Sequence, residues 1–348
     1  MAHPLLPVCT SLASLLFAGN EADLLFVGDA MQHKAQLEAA YTPHGYDYSD
    51  CFASIDSIVK AADYAVVNLE TPVGDPPYSG YPCFNAPKDF ADALADAGFD
   101  MFLTANNHTL DHGPKGLRAT IAHLDALGKD HLGTYAADSM RAKALPKIVD
   151  VKSFKIGFLN YTYGTNGITP RDGVTVDYID TTLIRKDIAA ARAAGAELMA
   201  VCIHWGDEYK LLPVASQRHM ADFLEAQGVD FIIGAHPHVI QPMEFRTNRY
   251  FPDKNVVLVY SLGNFVSNMK TADTRGGAMV HISLLRDDVG KPQIKSTNYR
   301  LLFTVADGYR VMEADSVKDA RWRGRADEFA GRARGVFDRH NVCVPEYK

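Results

Sequence analysis

Cysteine is scarce and unpatterned: five residues, Cys9, Cys51, Cys83, Cys202 and Cys343, with no Cys-x-x-Cys pair and no disulfide rhythm. That leaves no thiolate set for an iron–sulfur cluster. Long apolar runs are missing too, because no segment reaches the roughly 18 to 20 residues that a bilayer span needs. The nearest candidate, residues 4–18, is broken by Pro7 and lacks the Lys or Arg that precedes a secretory signal. Positive charge is in deficit, 35 Lys+Arg against 42 Asp+Glu, for a net charge of −7. An acidic balance argues against a nucleic-acid surface, which needs a basic stripe. There is no internal repeat and no low-complexity linker, and 47% hydrophobic residues exclude a disordered or collagen-like chain.

What is present is an alternation of short apolar runs and amphipathic stretches across 348 residues. Strands are expected at 24–27, 64–68, 101–104, 146–151, 155–160, 198–203, 230–234, 256–260, 278–284 and 294–304. Helices are expected at 50–61, 88–97, 115–127, 181–194 and 214–227, with a charged, solvated one at about 315–337. This pattern predicts an α/β layered domain in which helices cover sheet faces. The strand-rich last third predicts a second sheet packed on the first. Three segments are expected: a leader or truncated export signal at 1–22, the main domain at 23–310, and a helical extension at 311–348 packed on that domain.

Thirteen histidines are present, and several of them follow strands. The first expected strand ends at Asp29, the second at Asn68 and Glu70, and the third at Asn106-Asn107-His108. The strand at 198–203 ends at His204, and that at 230–234 runs into His236 and His238. Loops beyond the carboxyl ends of strands in an open α/β sheet meet in one crevice. Carboxylate, imidazole and amide oxygen gathered there suit one or two divalent ions such as Mn, Zn, Fe or Mg. A histidine beside the ions can protonate a leaving group.

Singly, each residue has a plainer reading. Asp29 can cap or turn the chain, Glu70 can be a surface acid, and Asn107-His108 can close a turn. Asp111 orients His108 or closes the same turn. His204 can be a buried histidine beside Trp205, and Asn166-Gly167 and Ser261–Asn264 read first as turns. Glu208 and Tyr209 face the cleft or simply pack.

Taken in order, the blocks VGDAM, VVNLETPV, LTANNHTLDHG, YGTNGITP, HWGDEY, GAHPHVIQPME and YSLGNFV resemble the CapA family, a branch of the calcineurin-like metallophosphoesterases, over residues 23 to 270. The resemblance implies a four-layer α-β-β-α sandwich, a divalent-metal centre, and a part in poly-γ-glutamate capsule synthesis or export. It implies an anionic polymer or phosphoester substrate, capsule export machinery at the membrane as partner, and an exported or envelope-associated protein. By position, it makes Asp29 and His238 first-metal ligands, Glu70 the bridging acid, and Asn107, His204 and His236 second-metal ligands. His108 becomes the general acid, with Asp111 beside it in the catalytic set. Asn166, Gly167, Glu208 and Asn264 become substrate-binding candidates. Two positions depart from the pattern. Glu70 stands where phosphoesterases usually carry aspartate, and Met31 stands where many carry a histidine ligand. A thioether is a poor ligand for a hard ion, and His33 is the nearby candidate to replace it. Two functions follow: a metal-dependent hydrolase of phosphoester or polymer linkages, or a non-hydrolytic assembly protein that holds an anionic chain. A plain carbohydrate- or phosphate-binding module accounts poorly for the ligand set.

Overall fold

The computed structural model describes residues 19–347; residues 1–18, which carry most of the expected leader, lie outside the described residues. The chain opens the first sheet with β1 (Glu21–Ala30), β2 (Tyr64–Leu69), β3 (Met101–Leu103) and β4 (Asp130–Leu132). It then builds a second sheet from β5 (Lys147–Val151), β6 (Phe154–Thr162), β7 (Leu198–His204), β8 (Phe231–Ala235), β9 (Met243–Thr247) and β10 (Asn255–Val259). Finally β11 (Asn264–Val266), β12 (Gly276–Arg286), β13 (Pro292–Val305) and β14 (Arg310–Glu313) return to the first sheet. Its order is β14-β13-β12-β1-β2-β3-β4, with β11 also on β1; the second runs β5-β6-β7-β8-β10-β9. The strands from Asn264 onward therefore extend the first sheet instead of joining the second, a correction to the sequence expectation. The reason is pairing: β12 lies antiparallel on β1, Phe26 opposite Val280, and closes its free edge.

Strand alternation sorts the side chains into three apolar layers. Phe26, Val66 and Met101 from the first sheet meet Phe158, Ala200, Cys202 and Ile233 from the second. The outer face of the first sheet, with Leu25, Val67 and Phe102, packs on Phe90 and Leu94 of helix α1 (Lys88–Asp96) and Leu124 of α2 (Gly113–Ala126). The outer face of the second, with Tyr161, Val201 and Ile203, packs on Ile184 of α3 (Thr181–Ala193) and Leu224 of α4 (Ala215–Ala226). The result is α-β-β-α. The helix expected at 50–61 is broken into Ser49–Phe52 and Asp56–Ala61, because Ile55 leaves helical geometry (φ −125°) and is fully buried. The charged C-terminal helix, α5 (Ala320–His340), is not solvated all round: Phe329, Ala333 and Phe337 join the core.

A buried ionic cluster ties the outer helices to the sheet. Arg141, on the short helix Asp138–Ala144, meets Asp177 and Asp187 at 2.5 Å each, while the Tyr135 and Tyr161 hydroxyls donate to the same two acids. Breaking a buried pair strands a charge, so Arg141→Met is expected to cost about 3–5 kcal/mol. A shift of the urea midpoint checks this, and an unchanged midpoint contradicts it.

Candidate metal centre

The strands around the site run parallel, so their carboxyl ends meet on one side. Asp29 stands in register with Asn68 on β2 and with Asn264 on β11, and His204 pairs with Thr162 and Ala235. Glycine makes this possible where backbones touch. A Cβ on Gly28 would sit 1.9 Å from the Gly263 carbonyl, which accepts the Asp29 amide at 3.0 Å. A Cβ on Gly234 would lie 2.1 Å from the Tyr260 carbonyl.

Asp29 is fully buried and takes three donors. Asn68 Nδ2 donates to Oδ1 at 2.8 Å; His238 Nδ1 and the His236 amide approach Oδ2 at 3.1 and 3.3 Å. Asn264 Oδ1 lies 3.0 Å from the same His238 nitrogen. Two acceptors on Nδ1 fix its proton there and leave Nε2, 3.8 Å from Glu70 Oε1, as the ligand atom. His204 Nε2 lies 2.7 Å from Asn107 Oδ1 and 3.4 Å from Glu70 Oε1. His236 and His238 hold positive φ, +99° and +57°, a region that non-glycine residues rarely occupy. Such strain is kept where surrounding contacts impose it, and here it turns both rings toward Glu70. Two groups of ligand atoms result, Glu70-His236-His238 and Asp29-Glu70-His204, each lying within 4.8 Å of one another.

Electrostatics single out Glu70. Neither of its buried oxygens has a hydrogen-bond partner among the described residues, and the same holds for His236 Nδ1. Burial, then the facing Asp29 carboxylate and the more distant Glu208 and Asp111, push the Glu70 carboxyl well above its usual range. Burial and the neighbouring histidines hold His204 well below the ordinary imidazole value and take His236 to about 3. Burial also works against charge on His238, but the Asp29 contact outweighs it and raises that ring. Neutral imidazoles at His204 and His236 beside an unsatisfied carboxylate match what a divalent ion requires of its ligands.

His108 sits at the rim of this group. Its Nδ1 is 2.8 Å from Asp111 Oδ2, which also accepts the Phe84 amide, and its ring packs edge-on to Phe84 at 4.7 Å. Asn166, at φ +49°, reaches both Asn107 (3.3 Å) and His108 (3.5 Å), while Gly167 faces open space. Glu208 is exposed beside the cleft, and its charge reaches Glu70 and His238. Asn264 is fully buried and steadies His238 instead of facing the cleft. His33 belongs to neither ligand group. Its ring lies against Gln36 and the Asn268 amide, and burial takes it to about 4. Met31 is buried, its amide on the Val266 carbonyl. Asn68, named above only as a strand-end residue, links Asp29 to His204, and one contributor goes beyond the residues expected from the sequence: Tyr163, whose ring lies 4.5 Å from that of His236.

Fold and site together define a metallophosphoesterase-type α/β sandwich. The NAD nucleotidase of Haemophilus influenzae shares this fold with a TM-score of 0.50, over 92% of this chain and 68% of its own, at 12% identity. Within that class, residues 23–269 match the family described as bacterial capsule synthesis protein PGA_cap, and the chain belongs to that family. The PGA biosynthesis protein CapA of Bacillus subtilis (strain 168) is 28% identical over 279 residues, covering 77% of this chain and 69% of its own. The capsule biosynthesis protein CapA of Bacillus anthracis is 26% identical over 325 residues, covering 88% and 76%.

Proposed function

We propose that this protein is a metal-dependent hydrolase of capsule-polymer synthesis, cleaving a phosphoester or a linkage of the polymer itself. The observation that carries the reading is Glu70, whose two buried oxygens find no donor among the described residues. An isolated carboxylate in that position costs several kcal/mol, and a divalent cation offsets the cost. Asp29, Glu70, Asn107, His204, His236 and His238 would hold one or two ions, and the mix of O and N donors suits Mn, Zn, Fe or Mg. Such an ion supplies an acidified water and polarises a phosphoryl or carbonyl oxygen.

The rest falls to the chain's own residues. Asp111 only accepts, so the shared proton sits on His108 Nδ1 and Nε2 is left to exchange a proton with the leaving group. Asn166, bonded to Asn107 and within reach of His108, fixes the spacing between the ligand set and the acid. Met31 favours the second reading, in which the site binds an anionic chain end without cutting it, because it supplies no hard ligand where a histidine would serve. The names of the relatives, PGA and capsule biosynthesis proteins, support a capsule polymer as the substrate class; poly-γ-glutamate as that polymer, capsule export machinery as the partner and work at the cell envelope belong to the proposal.

The test is hydrolysis of bis-p-nitrophenyl phosphate by purified protein. Turnover that vanishes with chelator and returns with Mn²⁺ is expected. Metal-loaded protein with no turnover on this ester or on poly-γ-glutamate would sink the hydrolase and leave the binding reading.

A further inference from the structure

The polar loops that wall the metal centre continue into a second cleft. Helix α2 starts one residue after His112, which itself follows Asp111. The opposite wall holds Arg171 and Asp172, a few residues beyond Asn166. Between them lies an open cleft of about 630 Å³ lined by His112, Lys115, Arg118, Arg171 and Asp172. Three of the side chains are permanent cations, and among the described residues none of the three makes an ion pair. Arg118 is braced by two carbonyls, those of Ala136 (3.1 Å) and Asp172. Lys115 and Arg171 are exposed. Asp172 supplies the one carboxylate of the lining.

In a chain of net charge −7, unpaired cations gathered on one cleft are a local reversal of sign. Exposed cations of this kind attract and orient an anion over about a Debye length, some 8–10 Å, and their effect weakens with salt. A single phosphate at the metal centre does not need them. A chain carrying repeated negative charges does, because its next units must lie somewhere beyond the ions.

We infer that Lys115, Arg118 and Arg171 form a docking subsite for the units of a polyanionic chain that extend from the metal centre. The inference rests on the proposed function above, and deepens it by assigning the cleft through which a polymeric, repeatedly carboxylated substrate is held. Arg118 sets the floor of the subsite, and Lys115 and Arg171 supply its two walls. The subsite favours long substrates over short ones, because each further charged unit that reaches the cleft adds a contact.

The experiment measures binding of fluorescein-labelled poly-γ-glutamate to the Mn²⁺-loaded full chain by anisotropy, across a salt series. Wild type is compared with Lys115→Glu/Arg171→Glu and with the milder Lys115→Gln/Arg171→Gln, each checked for an unchanged melting temperature and metal content. The charge reversal is expected to weaken binding by about tenfold or more and to flatten the salt dependence, with the neutral pair between. Equal affinity in all three proteins, or no polymer binding by wild type, overturns the subsite. Charge-dependent binding without any ester hydrolysis by wild type upholds the subsite while removing the hydrolase. Hydrolysis with charge-independent binding does the reverse.

Discussion

Replacing His108 with alanine is expected to lower Mn²⁺-dependent turnover by about 10²–10⁴-fold, the usual contribution of a positioned general acid. Metal content should stay at the wild-type value, because His108 belongs to neither ligand group. The two readouts together separate a proton donor from a structural residue. Asp111→Asn should fall between wild type and His108→Ala, since the amide no longer dictates which ring nitrogen carries the proton and yet still fills the space beside Phe84. Full turnover in His108→Ala would remove the acid from the scheme.

The second large effect is on stability, and its sign depends on metal. Without metal at neutral pH, Glu70→Gln is expected to be more stable than wild type by about 1–3 kcal/mol, because the neutral amide removes a carboxyl whose charge burial and Asp29 disfavour. With metal the order reverses: wild type gains about 4 kcal/mol at a thousandfold excess over its dissociation constant, and the variant gains little. The pH dependence follows from the raised carboxyl. A group with its folded-state pKa above the unfolded value contributes stability that is fully present below the unfolded pKa, near 4.3, and is lost as pH rises through the folded value. The metal-free gap between variant and wild type should therefore open from acid to neutral pH and close again on acidification. Thermal melts with and without chelator, at pH 5 and pH 7.5, check both statements. A variant less stable than wild type in chelator contradicts them.

The residues gathered at the candidate metal centre were more legible in the sequence than the sheets. Asp29, Asn107-His108, His204 and His236-x-His238 are each short polar breaks directly after an apolar run, and parallel strands leave such breaks on one side of the molecule. The sheet to which a strand belongs is set by long-range pairing, which local periodicity does not encode. For that reason β12 and β13 were expected in the wrong sheet. The break at Ile55 has a similar origin, because burial of one isoleucine overrides a helical stretch that propensity alone would continue. Asn264 carries the same lesson at the site: its sequence reads first as a turn, the resemblance makes it a substrate-binding candidate, and its register with Asp29 places it on His238.

In the proposed function, the chemistry of the site depends on a divalent ion held at Glu70. Equilibrium dialysis of the full chain against Mn²⁺, with bound metal counted per chain, addresses that directly. Wild type is expected to hold one or two ions, and Glu70→Gln to bind about 100-fold more weakly or not at all. Wild-type protein that retains no metal, or a Glu70→Gln variant that retains as much as wild type, would contradict the metal centre itself.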